Sequence, residues 1–255
     1  MNPSASLDRA LLGREIGREL KQRIDASAEL AGLLKRLSAQ GRVVVFGGFV
    51  RDRIHGLIHG KTTPSRDLDL VVDGILGPAF ESVSRNNFGG SRMLAESGLK
   101  IDYWELRRTY AFSRGWFEAT LENLPRTTVY SVNACCFDGE KFHLLEHGAI
   151  AGIAEKSIAF NCREYLDVFP DYQAFRGIEL ARRMGYGLAP EVLSFVADRL
   201  RRAPKAEFLR AVRQHRADVS EAEIEELCRP YCDGAGYAPP AAPAGEAEWS
   251  NSSSG

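Results

Sequence analysis

The chain has 255 residues, 44% hydrophobic and 26% charged, with a formal net charge of −1. Such a composition is globular and suits one large domain or two small ones; it excludes a polycation, so any contact with nucleic acid has to use a local patch. No apolar run reaches the roughly 18 residues of a membrane helix, and MNPSASLDRALLGREIG at the N-terminus lacks the basic stretch and apolar core of a signal peptide, so a cytoplasmic protein is expected.

Taken in chain order, apolar residues recur at helical spacing over 7–23 and 28–38, with a break at DASAE, which predicts two helices or one bent one. RVVVF (42–46) is short and β-branched, the pattern of a buried strand. DLDLVVDG (67–74) reads as a second strand ended by Asp73-Gly74. LKIDYWEL (99–106) alternates Ile101, Tyr103 and Glu105 against Asp102, Trp104 and Leu106, and is a third. SVNACCFDGEKFHLLEH has two strand-like runs around Asp138-Gly139, a pair suited to the positive φ of a tight hairpin turn. KSIAF (156–160) adds a short strand. From Asp171 the pattern turns helical: 172–184, 190–202 with Pro190 in its first turn, 206–216, and 220–228 with Ser220 and Glu223 as a capping box. After Cys232 the chain is Pro, Ala, Gly and Ser with little to bury, and disorder is expected. The expected class is α+β: a mixed sheet flanked by helices, then a small all-helical region. Expected boundaries are 1–41 for N-terminal helices packing on the α+β head, 42–165 for the head, 166–232 for the helical region and 233–255 for the tail.

The five cysteines include no CxxC pair and read as reduced thiols. CRPYC (228–232) has no second ligand pair nearby, and ordinary thiols near a frayed end are the simpler reading.

The chemistry concentrates in VVVFGGFVRDRIHGLIHGKTTPSRDLDLVVDG (43–74). Side chains alternate along a strand, so Asp67 and Asp69 share a face. Two carboxylates so close repel unless a cation shares them, and hard oxygen donors favour Mg²⁺ or Mn²⁺, ions that also bind substrate phosphates. Gly47 and Gly48 end one strand and precede a predicted helix, where glycine lets a ligand approach the backbone and free amides suit phosphate. A lone DxD or a lone GG is usually an ordinary turn. Strand, GG, Arg-Asp, loop and strand-borne DxD together describe a phosphate-and-metal site.

GGFVRD…RDLDLVV resembles the GGxVRDxLLGxxxxDxD signature of the poly(A) polymerase and CCA-adding (class II) branch of the polymerase-β-type nucleotidyltransferases. Gly47, Gly48, Arg51 and Asp52 match its first half; Asp67 and Asp69 match the two metal-binding aspartates. TTVYSVNA resembles the family's RRDFTINA, keeping Asn133 and Ala134 but replacing Arg-Arg-Asp by Thr127, Thr128 and Val129. LLEHGAIAGIAEKSIAF resembles DPFGGxxDLxxKxIR. DYQAFRGIELARRMGYGL resembles the neck helix DPxRxLRAxRFAxxLGF, keeping Arg176, Gly185 and Tyr186, with Gln173 and Glu179 in place of two arginines. The resemblance runs from Arg42 to Leu188. It implies a nucleotidyltransferase head followed by a helical neck and body. It also implies transfer of a nucleoside monophosphate from an NTP to a hydroxyl, with release of pyrophosphate. Asp67, Asp69 and, as third carboxylate, Asp102 would be catalytic and hold two Mg²⁺ or Mn²⁺ ions, with Glu105 a weaker candidate. Gly47, Gly48, Arg51, Asn133 and Arg176 would bind the nucleotide, Arg51 either touching phosphate or pairing with Asp52 to brace the turn.

The region 176–216 holds ten Lys or Arg against four acids, a surface that could grip RNA, such as a tRNA-like 3′ end, or simply be solvated. His55 and His59 read as partly exposed loop residues, and His143 and His147 as structural. SRGWF (113–117) is a core aromatic cluster or a base-stacking loop. NNFGGSR (86–92) carries a second GG, read as a turn. The leading expectation is an enzyme acting on an RNA 3′ end. A protein or small-molecule acceptor, or a non-catalytic nucleotide- or RNA-binding module on the same scaffold, are the alternatives.

Overall fold

The computed structural model describes residues 8–60, 65, 67–80, 84–85 and 90–232. The predicted tail, most of the loop before the DxD and the first four residues of NNFGGSR lie outside the described residues.

DASAE separates two helices rather than bending one. α1 (Arg9–Asp25) starts at Asp8, whose carboxylate accepts from Ala10 N at 2.9 Å, and α2 (Ala28–Ser38) starts at Ser27, whose hydroxyl accepts from Leu30 N at 3.2 Å. There follow β1 (Gly41–Phe46), α3 (Gly48–His59), β2 (Asp67–Gly74), β3 (Ser84–Arg85), β4 (Ser91–Leu94), β5 (Lys100–Glu105), α4 (Tyr110–Ser113), β6 (Cys135–Asp138), β7 (His143–Glu146), α5 (Ala149–Ala154) and β8 (Ser157–Ile158). The last part is α6 (Tyr165–Val168), α7 (Pro170–Met184), β9 (Gly187–Leu188), α8 (Pro190–Arg202), α9 (Lys205–His215) and α10 (Glu221–Cys232).

One sheet runs in the order β3-β4-β5-β2-β1-β6-β7. It is mixed: β1 is antiparallel to β2 and β6, while β2 is parallel to β5. Val44, Val45, Leu70, Val71 and Val72 are buried at its centre, as β-branched runs covered on both faces should be. The hairpin differs from expectation. Asp138 pairs with His143, so the connection is four residues, and positive φ falls on Phe142 (51°) rather than on Asp138-Gly139. The reason is the fully buried Asp138 carboxylate, which takes Arg42 Nε at 2.7 Å and the amides of Glu140 and Lys141 at 3.0 and 3.3 Å, widening the turn around itself. α1 lies over this hairpin through two glycines. A Cβ on Gly13 would sit 2.7 Å from Phe142 O, and one on Gly17 2.7 Å from the Phe142 ring.

His55 and His59 are not loop residues, because α3 continues to His59 and stops at Gly60, which takes φ 68°. His55 Nδ1 meets the buried Tyr186 hydroxyl, and His59 Nε2 meets Ile153 O at 2.9 Å. The capping box forms as read: Ser220 N donates to Glu223 Oε2 at 2.8 Å, and Glu223 N to Ser220 Oγ at 3.3 Å. α10 extends past 228, so Cys228 is buried against the helical core, and burial pushes its thiol up to about 12. β8 pairs in parallel with β9, tying the sheet-bearing part to the helices, and one hydrophobic core runs from Leu12 to Tyr231.

Candidate active site

β1 ends at Phe46, and Gly47 turns the chain with φ 64°, a conformation glycine adopts without strain. The turn is fixed from below: Gly47 N donates to Cys135 O and Arg51 N to Gly47 O, each at 2.9 Å. Above it space is open, since a Cβ on Gly47 would meet nothing within 4 Å. The amides that begin α3 therefore follow a turn at which Gly47 is buried and Gly48 partly exposed.

Arg51 is 2% exposed. Its Nε donates to Asp52 Oδ1 at 2.7 Å and its Nη1 to Asn133 Oδ1, and Arg183 of α7 stands 3.6 Å from the same Asp52 oxygen. The buried Arg51 is thus paired with the half-buried Asp52 and Asn133 as a brace under the glycine turn. A lone charge there would be very costly.

Asp67 is exposed and Asp69 half-buried, with Leu68 buried between them on the opposite face. Asp69 pairs with Phe46 on one side and with Asp102 on the other, so the glycine turn leaves β1 at the level of Asp69, and Asp102 is its neighbour across the parallel ladder. Burial, then the charge of Asp102, then that of Asp67 push the Asp69 carboxyl up to about 7, against the opposing charges of Arg176 and Arg51. Arg176 on α7 donates to Glu179 Oε2 at 2.7 Å, and Glu179 also takes Arg216.

The Asp102 carboxylate is engaged by a residue the sequence reading missed. Arg92 on β4 lies opposite Asp102, donating from Nε to Oδ1 and from Nη2 to Oδ2, both at 2.8 Å. Only strand register could have revealed this pair. Glu105 faces away from the site: it is buried, accepts from Leu76 N at 3.0 Å and pairs with Arg108.

Among the described residues no three His, Cys, Asp or Glu side chains are grouped to hold a metal ion. Asp67 and Asp69 nevertheless fit a hard divalent cation. Both donors are carboxylate oxygens, and the like charges that raise Asp69 are the repulsion such an ion would relieve. Asp69 also fixes a pH dependence. Its folded value of about 7 lies above the ordinary 3.8, so the stability it contributes is present below about pH 4 and is lost as pH rises through about 7. With chelator present, Asp69→Asn should therefore melt above the wild type at pH 8 and alongside it at pH 4. Mg²⁺ should raise the wild-type melting temperature at pH 8 and leave the variant's unchanged.

Where the resembled signature has Arg-Arg-Asp, the side chains here turn inward. Thr127 Oγ1 donates to Leu124 O at 2.8 Å and Thr128 Oγ1 to Tyr130 O at 3.1 Å, while Asn161 Nδ2 donates to the carbonyls of Pro125 and Thr128, both at 3.0 Å. Trp116 packs edge-on against Tyr165 at 4.9 Å and Tyr110 at 5.6 Å, so SRGWF anchors a small aromatic core. His143 is exposed, and His147 Nδ1 meets Asn161 Oδ1 at 2.7 Å. The basic stretch is largely matched by acids. Arg182, Lys205 and Arg213 pair with Glu226, Glu225 and Glu221 of α10, Arg199 with Asp171, and Arg202 with Asp198.

No protein-family model matches the chain, and no curated protein matches it. Solved structures do. A CCA-adding enzyme with CTP aligns at TM-score 0.57 and 16% identity, covering 85% of this chain and 54% of that one. A CCA-adding enzyme in an apo form aligns at TM-score 0.53 and 17% identity, over 88% and 50%. A tRNA-processing enzyme with CTP aligns at TM-score 0.51 and 20% identity, over 78% and 55%. The chain spans about half the length of these structures. At such identities the likeness is one of fold: a mixed sheet flanked by helices, followed by a helical region.

Proposed function

We propose that the protein is a metal-dependent nucleotidyltransferase that moves a nucleoside monophosphate from an NTP to an acceptor hydroxyl, an RNA 3′ end, and releases pyrophosphate. The observation that supports this reading is the strand register: Asp69 lies opposite Phe46, the residue before the glycine turn, Asp102 lies opposite Asp69, and Asp67 shares the strand face of Asp69, on the fold of enzymes solved with CTP. Asp67 and Asp69 would hold the divalent ions, which when bound neutralise phosphate charge and favour ionisation of the attacking hydroxyl. The glycine turn and the amides beginning α3 would cradle the triphosphate. The Arg51–Asp52–Asn133 brace would keep that turn in place, and Arg176 would supply positive charge from the neck.

The test is incubation with each labelled NTP, Mg²⁺ or Mn²⁺, and separately total RNA, total protein or small hydroxyl compounds. Label in the RNA fraction supports the reading in full. Label elsewhere keeps the chemistry and moves the acceptor, and no metal-dependent label in any fraction removes the enzyme reading.

The acceptor makes a further prediction. Arg201, Arg202 and Lys205 lie on the exposed faces of α8 and α9, and their pairs with Asp198 and Glu225 are surface pairs of little energetic weight. Reversing all three to Glu should weaken RNA binding by about tenfold or more and flatten its salt dependence, with NTP and metal binding intact. Unchanged RNA transfer at both low and high salt would count against an RNA acceptor held by these helices.

A further inference from the structure

We propose that Arg92 is a positioning residue that competes with a divalent cation for the Asp102 carboxylate, and so sets when the third carboxylate of the site joins the ion. The inference rests on the reading of Asp67 and Asp69 as cation ligands. Both Asp102 oxygens accept from the Arg92 guanidinium, Oδ1 from Nε and Oδ2 from Nη2 at 2.8 Å each, the two-pronged geometry that arginine alone among side chains provides. Asp102 is meanwhile the ladder neighbour of Asp69, whose carboxyl feels its charge. One carboxylate thus faces two positive partners, the guanidinium from β4 and any ion held at Asp69, and Arg92 occupies both of its oxygens. The paired side chains differ in exposure: that of Arg92 is 44% exposed and that of Asp102 16%. Arg92 therefore serves as the counter-charge of the site without the ion, and its release is the step that lets Asp102 turn to the ion.

The test is Mn²⁺ binding to the full chain without nucleotide, read as free Mn²⁺ by electron paramagnetic resonance. Arg92→Gln frees Asp102 and should tighten Mn²⁺ binding roughly threefold to tenfold, the range expected for a partly exposed two-pronged pair. Arg92→Lys keeps the charge but loses the fork, and should tighten binding about twofold; it carries the test by itself if Arg92→Gln fails to fold. Asp102→Asn should weaken binding, and adding Arg92→Gln to Asp102→Asn should change nothing further, because the gain acts only through Asp102. Unchanged or weaker Mn²⁺ binding in both Arg92 variants overturns the inference, as does a gain that survives in the double variant, which would make Arg92 a general repelling charge. Wild-type binding that is abolished by Asp67→Asn but insensitive to Arg92 removes the role of Arg92 alone. Absence of Mn²⁺ binding in the wild type removes the cation site and this inference together.

Discussion

Asp69→Ala should reduce nucleotidyl transfer by about 10³-fold or more, with Asp67→Ala close behind, while the protein remains folded. Losing a carboxylate that holds a divalent ion forfeits several kcal/mol of transition-state charge stabilisation, and each ~1.4 kcal/mol is a factor of ten in rate. The fold survives because Asp69 donates nothing the sheet needs. Its backbone pairs with Phe46 and Asp102 whatever its side chain, and its carboxyl is raised by burial and by two like charges, so removing it relieves repulsion. Single-turnover transfer from labelled NTP, beside a melting curve of each variant, is the measurement. A variant that melts normally and transfers at the wild-type rate would remove the central role given to these aspartates.

The second large effect is on stability and lies far from the aspartates. Gly177→Leu should destabilise the protein by about 3 kcal/mol or more, and Gly177→Ala by about half of that. Gly177 is on α7 where the helix crosses the sheet-bearing part, and a Cβ there would sit 2.7 Å from Tyr130 Oη and 3.1 Å from its Cζ. An exposed tyrosine would swing aside. Tyr130 is 2% exposed, donates its hydroxyl to Gln173 O on the same helix and stacks on Phe160 at 5.7 Å. Any side chain at 177 therefore costs packing and that hydrogen bond together. Urea denaturation measures it, and Tyr130→Phe in the Gly177→Ala background should recover part of the loss by removing the obstructing oxygen. No recovery would place the cost elsewhere in α7. Arg176, next to Gly177, acts on the electrostatics of Asp69, so transfer by Gly177→Ala should also fall at temperatures well below its melting point.

The longer elements were legible in the sequence because their causes are local, whereas β4, which carries Arg92, was not read from it. A β-branched run makes β1, alternation places Asp67 and Asp69 on one face, Ser220 caps a helix, and Gly47 takes a backbone angle that other residues resist. The family resemblance pointed to Asp102 as a third carboxylate, and strand register sets it beside Asp69. What only the tertiary structure decided depends on residues distant in the chain. Arg92 meets Asp102 through the β4–β5 ladder, and Asn133 meets Arg51 from 82 residues away. Asp138 takes Arg42 across the sheet and so moves the positive φ of the hairpin to Phe142. The basic excess over 176–216 was a true count of that window, yet α10, outside it, folds back and supplies Glu221, Glu225 and Glu226 as partners. Periodicity and capping act within a few residues and can be read along the chain. Ion pairing and packing act through space, and which charges meet is settled only when the strands take their register and the helices close on one another.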